Sequence, residues 1–347
     1  MNKNKGKTHR AARASIRAAL ILSFLLLPFS LLAQSGRNPA GARPSPPPQQ
    51  DTRPRRATAE EQDDKPIKLS ADLVTAITSV TDGAGNQVND LTMNDFVIYE
   101  DNVAQEIAGL YREGELPLRM VFLFDASSSI RHRLDFEKRA AAQFFRQLMR
   151  PSDQAALISV STDPKVEVQF TSDVERLVAG LDQMKAEGAT SLYNSLIEAA
   201  KYVRPAEGRH VMVVLSDGTD TASATTLAQA LAEVQKSDAV IYSVHSTGVA
   251  PSANVQDLAG EFVLKAMSED TGGRAFFPPI QEDPKKEIRD LDEIYRRIAA
   301  EVRAQYVLTY YSKSEGRPDT FRSIRVEVKR PGLQVRARRG YYTAKEK

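Results

Sequence analysis

Residues 118–129 read LRMVFLFDASSS, a near-continuous apolar run closed by a carboxylate and three hydroxyls. A strand covered on both faces, as in a parallel sheet, reads this way. If the backbone turns sharply after Phe124, the side chains of Asp125, Ser127 and Ser129 can bring one carboxylate and two hydroxyls to a single point. Outward from this stretch, residues 132–149 carry Leu134, Ala141, Phe145 and Leu148 at helical spacing before Pro151, which predicts a helix and its end. Further apolar runs follow at 155–160, 166–170, 210–215, 240–244 and 275–277. Helical patterns separate them at 173–185, 192–203, 225–236, 255–269 and 287–303. Strands alternating with helices of that length predict an α/β fold, a doubly wound and mostly parallel sheet with helices on both faces. Such sheets bind ligands beyond the carboxyl ends of their strands.

Two more oxygen-rich segments stand where that rule directs attention. The run HVMVVL at 210–215 ends in Ser216, Asp217 and Gly218, and the segment Gly188, Ala189, Thr190 precedes a helix. Asp125, Ser127, Ser129, Thr190 and Asp217 are all hard oxygen donors, with no thiol or imidazole among them, a set that suits Mg²⁺ or Mn²⁺ better than Zn²⁺ or Cu²⁺. Taken singly, each segment also fits a local role: Asp125 and Ser129 as caps of the next helix, Asp217 as a turn former.

Together, DASSS after a buried strand, GATSLYNSL before a helix and VMVVLSDG in a later strand resemble the three-part metal-ion-dependent adhesion site of the von Willebrand factor A family. The resemblance covers about residues 116–303. It implies Asp125, Ser127, Ser129, Thr190 and Asp217 as direct or water-bridged ligands of a divalent cation, Mg²⁺ with Mn²⁺ or Ca²⁺ as alternatives. It further implies a non-enzymatic module that captures an Asp or Glu of a protein partner through that cation. Where integrin-like members carry paired acids for an adjacent calcium ion, this chain has Ile130, Arg131 and His132, which speaks against a second cation. A scaffold subunit of an envelope complex with a purely structural metal is the alternative, and a metal-dependent hydrolase a remoter one.

The flanks read as strands. Residues 69–80 and 95–99 are bounded by turns at 82–86 and 100–102; 306–311 is apolar and aromatic; Ile324, Val326 and Val328, then Leu333, Val335 and Ala337, alternate with polar residues. Neither flank has strands enough to stand alone. The expectation is one small β domain, residues 67–115 plus 304–347, from which the α/β domain of 116–303 projects as an insertion. The strings Val80–Asp82, Asp95–Asp101 and Arg338–Tyr341 resemble those flanking the A domain in secreted bacterial VWFA-related proteins.

The first 33 residues hold six bases and no acid, then the 16-residue apolar run of 18–33 with Pro28. That run is short for a membrane span and built like a signal peptide. Cleavage after Ala33 would leave the protein secreted or periplasmic; an uncleaved leader would anchor it by its N-terminus, its one link to a membrane. Removing those bases turns 47 bases against 45 acids into 41 against 45, so the basic pI is no sign of nucleic-acid binding. Residues 34–66 carry seven of the 18 prolines and no large apolar residue, as a disordered tether would. The chain has no Cys and four His (His9, His132, His210, His245), and no nucleophile elbow, HExxH or P-loop. His132 or His210 beside Ser127 would be the way to a hydrolase.

Overall fold

The computed structural model describes residues 73–112, 116–248, 255–280, 283–314 and 317–343. The basic leader, Ala33 and the Pro-rich stretch to Pro66 lie outside the described residues. The first strand, β1 (Leu73–Thr81), is followed by a turn that Asp82 organises, its Oδ1 accepting the N–H groups of Ala84 and Asn86 at 2.9 Å. Next come β2 (Phe96–Glu100), β3 (Val103–Gln105) and β4 (Ile107–Tyr111). Asp101 and Asn102, with φ of 46° and 66°, form the two-residue turn between β2 and β3, in the left-handed region that the twist of a tight hairpin requires.

The α/β part then runs β5 (Leu118–Asp125), α1 (Leu134–Leu148), β6 (Gln154–Val160), β7 (Lys165–Thr171), α2 (Val174–Gln183), α3 (Leu192–Val203), β8 (Arg209–Ser216), α4 (Leu227–Gln235), β9 (Val240–His245), α5 (Val255–Thr271), β10 (Arg274–Phe276) and α6 (Pro284–Ala304). Its six strands form one sheet in the order β10-β9-β8-β5-β6-β7. All neighbours are parallel except β6 and β7, an antiparallel hairpin at the edge. Alternate residues of β5 feed two cores. Met120, Phe122 and Phe124 pack with Phe144, Phe145, Leu181, Tyr295 and Ile298 from α1, α2 and α6. Val121 and Leu123 pack with Leu196, Ala200, Val234, Leu264 and Met267 from α3, α4 and α5. Burial on both faces is why the strands read as continuous apolar runs.

The chain returns through β11 (Tyr306–Tyr311), β12 (Phe321–Val328), β13 (Gln334–Ala337) and β14 (Gly340–Tyr342). These interleave with the first flank in two antiparallel sheets, β13-β1-β11-β4 and β14-β12-β2-β3. Val74, Ala76, Phe96, Ile98, Leu308, Tyr310 and Val326 fill the space between them, while Ile77, out of phase on β1, joins the α/β core. The flanking strings meet in this layer. Glu100, fully buried, accepts from Tyr310 Oη at 2.8 Å, Tyr341 Oη at 3.1 Å and Ser312 Oγ at 2.7 Å. Gly340 lies so close to β12 that a Cβ there would stand 2.3 Å from the Arg322 carbonyl and from the Phe321 ring.

The flanking sheets meet the amino ends of the parallel strands through polar contacts around the end of α6. Gln305 Nε2 donates to Tyr242 Oη at 2.9 Å, Tyr242 donates to Glu301 at 3.0 Å, and Arg336 of β13 pairs with Glu301 at 2.5 Å. The carboxyl ends of β5 and β8 therefore point away from the flanking layer. Among the described residues no helix is long and apolar enough to cross a membrane.

Candidate functional site

β5 is the strand at which the winding reverses: the chain leaves it toward β6 on one side and returns as β8 on the other. Loops beyond such a pair of strands diverge and open a crevice. Phe124 lies opposite Leu215, so Asp125 and Asp217 stand at the two lips.

Asp125 is fully buried; its Oδ1 accepts from Ser127 N at 2.9 Å and its Oδ2 from Ser216 Oγ at 2.9 Å. The backbone thus turns at Ala126 and brings Ser127 Oγ and Ser129 Oγ to 2.8 Å from each other. Ser127 is buried and Ser129 exposed, so the hydroxyl pair runs from the interior to the surface. Helix α1 begins only at Leu134, after a 3-10 turn at Ser128–Ile130, and no side chain caps it. The capping role considered for Asp125 and Ser129 is not what the structure holds. Asp217 does form a turn, with Oδ1 accepting from Thr219 N at 2.9 Å and Thr219 Oγ1 at 2.6 Å.

Thr190 arrives by backbone contacts. Ser128 N donates to Gly188 O at 3.0 Å, and Glu187 N donates to Ala126 O at 2.8 Å, which ties this loop to the first. Thr190 N donates to Thr221 Oγ1 at 3.0 Å, and its carbonyl accepts from Thr221 N at 2.8 Å, which ties it to the third. Asp220 caps the helix that follows, accepting from Tyr193 N at 2.9 Å. From below, the buried Lys138 ammonium donates to the carbonyls of Asp182 and Met184, where the last carbonyls of α2 lack helical partners. Gly218, at φ 82°, touches α5 so closely that a Cβ would lie 2.2 Å from Gly260 O.

The structure therefore brings the five expected residues into one interlocked set of loops. It also supplies residues that the sequence reading passed over. Ser216 bridges Asp125 and Gly218 N. Arg133 pairs with Glu287 of α6 at 2.5 Å and donates to Ser246 O at 3.1 Å. Glu137, on the buried face of α1, is near enough to Asp125 and Asp217 to feel their charges. A charge at the fourth position of the helix, in line with Ala140, Ala141 and Phe144, was the available signal for Glu137.

The electrostatics are those of an uncompensated acid pair. Burial raises the Asp125 carboxyl above its usual range; hydrogen bonds from Ser127 and Ser216 oppose this, and the charge of Asp217 adds to it. No Lys, Arg or His forms a salt bridge with Asp125 or Asp217 among the described residues. Two carboxylates beside neutral hydroxyls, without a basic partner, are chemically fit for a hard divalent cation. Among the described residues there is no metal-holding group of three or more His, Cys, Asp or Glu side chains; hydroxyls make up the rest of this donor set.

Of the two histidines considered beside Ser127, His210 is held elsewhere. His210 sits at the amino end of β8, away from Ser127, with its ring nitrogens 2.6 and 2.7 Å from the carbonyls of Ser237 and Ala206. His245, at the end of β9, is buried and its basicity is lowered by burial, against the pull of Asp217, Glu261 and Asp257.

A doubly wound α/β module with an oxygen-rich loop site at its switch point is the class that this geometry defines. Residues 120–220 match the family model of the von Willebrand factor type A domain, and the chain contains a domain of that family. Solved structures with a similar fold include the PilB minor pilin from Streptococcus sanguinis (12% identity, TM-score 0.42, covering 54% of this chain and 62% of that chain). An aerotolerance-related membrane protein from Bacteroides fragilis (16%, 0.42, 53% and 98%) is another. The pilus adhesin SpaC from Lactobacillus rhamnosus GG (9%, 0.44, 71% and 48%) is a third. The chain thus spans less than two thirds of the pilin's own length. No curated protein matches it in sequence.

Proposed function

We propose that this protein is a secreted or periplasmic interaction module. Its three-loop site holds a divalent cation, Mg²⁺ or Mn²⁺, through Asp125, Ser127, Ser129, Thr190 and Asp217, and captures an Asp or Glu of a protein partner. The observation that carries the reading is the buried Asp125 beside Asp217, with no salt-bridged base among the described residues, facing converging hydroxyls. Bound there, a dication would be compensated by two carboxylates at most and would keep an affinity for one more anionic oxygen. The residues of this chain fix the donors, exclude bulk water from Asp125 and leave Ser129 at the mouth. Segments 67–115 and 304–347 serve as a supporting β domain at the end opposite the site, which leaves the loops after β5 and β8 to face a partner.

The test is a pull-down from envelope and culture supernatant with wild type and Asp125→Ala, each in Mg²⁺ and in EDTA. Partners captured by wild type in Mg²⁺, and lost on either change, are the expected result. Partners retained under both changes overturn the adhesion reading and favour a scaffold.

A further inference from the structure

Behind the site lies a carboxyl that no proposed ligand role uses. Glu137 is fully buried, and neither of its oxygens has a hydrogen-bond partner among the described residues. Its nearest cation is Arg133 Nε at 3.5 Å, an ion-pair distance too long for a hydrogen bond. That guanidinium is not Glu137's alone, since it also pairs with Glu287 at 2.5 Å and donates to Ser246 O. The other groups facing Glu137 do not help it ionise. Asp125 from the end of β5 and Asp217 from the loop after β8 are like charges. Tyr295 from α6 is buried, with its own hydroxyl unpartnered and its acidity suppressed by burial and then by Glu137 and Asp292. His245 shares the surroundings of Arg133 and Asp217.

A buried carboxylate that accepts no hydrogen bond and shares its nearest cation with another acid is costly, and such a group keeps its proton instead. Burial, opposed by Arg133 and reinforced by Asp125 and Asp217, pushes Glu137 well above the usual carboxyl range. A dication between Asp125 and Asp217 would cancel the two like charges and leave the attraction of Arg133 standing. We propose that Glu137 is a third, buried carboxyl of the cation site, not a ligand but a charge partner, protonated without the cation and ionised with it. Cation binding then breaks the Glu137 O–H bond and passes its proton to solvent. The inference rests on the cation reading of the site. Its consequence is an affinity that climbs with pH, by at most about tenfold per unit between the bound-state and free-state pKa values of Glu137. The site would hold its cation, and through it a partner, less well in acid than the ligands alone dictate.

The experiment is titration calorimetry of the folded protein with Mg²⁺ near neutral pH, in two buffers of different ionisation enthalpy, for wild type and Glu137→Gln. Wild type should release a substantial fraction of one proton per Mg²⁺ bound; E137Q should bind Mg²⁺ with little release and a flatter pH profile. Equal proton release in both proteins assigns the proton to Asp125 and overturns the inference, as does binding to wild type without release. No Mg²⁺ binding by wild type, at any pH up to millimolar concentration, overturns instead the cation reading beneath it. Should E137Q not fold, infrared difference spectra of wild type decide the matter: loss of a protonated-carboxyl C=O band on adding Mg²⁺ supports the inference, and an unchanged band refutes it.

Discussion

Asp125→Asn should reverse the order of stability between the two proteins when Mg²⁺ is added. Asp125 is fully buried, close enough to Asp217 to feel its charge, and unpaired with any base among the described residues. Asparagine keeps the shape, and its Oδ1 still accepts from Ser127 N. Its amide now donates to Ser216 Oγ, which must give up its own donated bond, at a cost of about 1 kcal/mol. Against that stands the removal of a buried like charge, of the kind whose relief at functional sites commonly adds ~0.5–2 kcal/mol. At the upper end of that range, where the gain is about 2 kcal/mol, the net in EDTA is a stabilisation of about 1 kcal/mol, or roughly 2–3 °C in melting temperature for a unit of this size. Wild type in Mg²⁺ at a hundredfold excess over its dissociation constant gains about 2.7 kcal/mol, roughly 6 °C, and D125N gains nearly none. Scanning calorimetry of both proteins in EDTA and in a Mg²⁺ series reads the crossing directly. If D125N melts below wild type in EDTA as well, Asp125 is a structural residue and the reasoning about uncompensated charge fails.

Other expectations follow from buried polar groups elsewhere. Glu100→Ala strands the hydroxyls of Tyr310, Tyr341 and Ser312 and should cost about 3 kcal/mol in urea melts, while Tyr341→Phe removes one of the three bonds and costs about 1 kcal/mol; equal losses would mean that the carboxylate does not organise the cluster. Asp153 accepts from Leu118 N and Arg150 N and pairs with Arg303. Burial pushes its carboxyl up, but Arg303 and the two backbone donors outweigh this and lower it. A depressed pKa contributes stability that is present above the unfolded value near 3.9 and is lost as pH falls through the folded one. Asp153→Asn should therefore cost about 3 kcal/mol at pH ~7 and progressively less as acid melts approach the folded value; a penalty independent of pH would contradict the pairing.

What could be read in advance depended on how local the physics was. The runs ending in Asp125 and Asp217 announce central parallel strands because both faces are buried, and a strand end in such a sheet is already a place for ligands. Thr190 has no comparable local signal. Its loop is placed by backbone bonds to Ala126, Ser128 and Thr221 across long sequence separations, so a hydroxyl ahead of a helix was its whole local signal, and the likeness to a known three-part motif gave it a role. The antiparallel turn of β7 was not legible, since KVEVQF alternates equally well in either direction. β3 and β4 were missed because Val103–Gln105 is very short and Ile107–Tyr111 holds Ala and Gly, which have weak strand preference. Ser216, Arg133 and Glu137 were overlooked because each is polar within a segment whose apolar pattern decided its reading.

Both flanking sheets need strands from the two ends of the α/β insertion: β1 is held by β11 and β13, and β2 by β12. Sequence separations of more than two hundred residues are thereby closed last, after the intervening sheet has its local crossovers, and loop closure of that span makes pairing slow. While the chain is made from its N-terminus, β1 has no strand partner, and β2 only the three-residue β3, until residues 306–342 have emerged. Their open edges are then sites for pairing with the wrong strand. A product truncated before Gly340 would lack β14 and with it the Tyr341 donor to Glu100, leaving a buried carboxylate short of one bond. Completion of the layer thus works as a check that the chain has been made at least as far as β14.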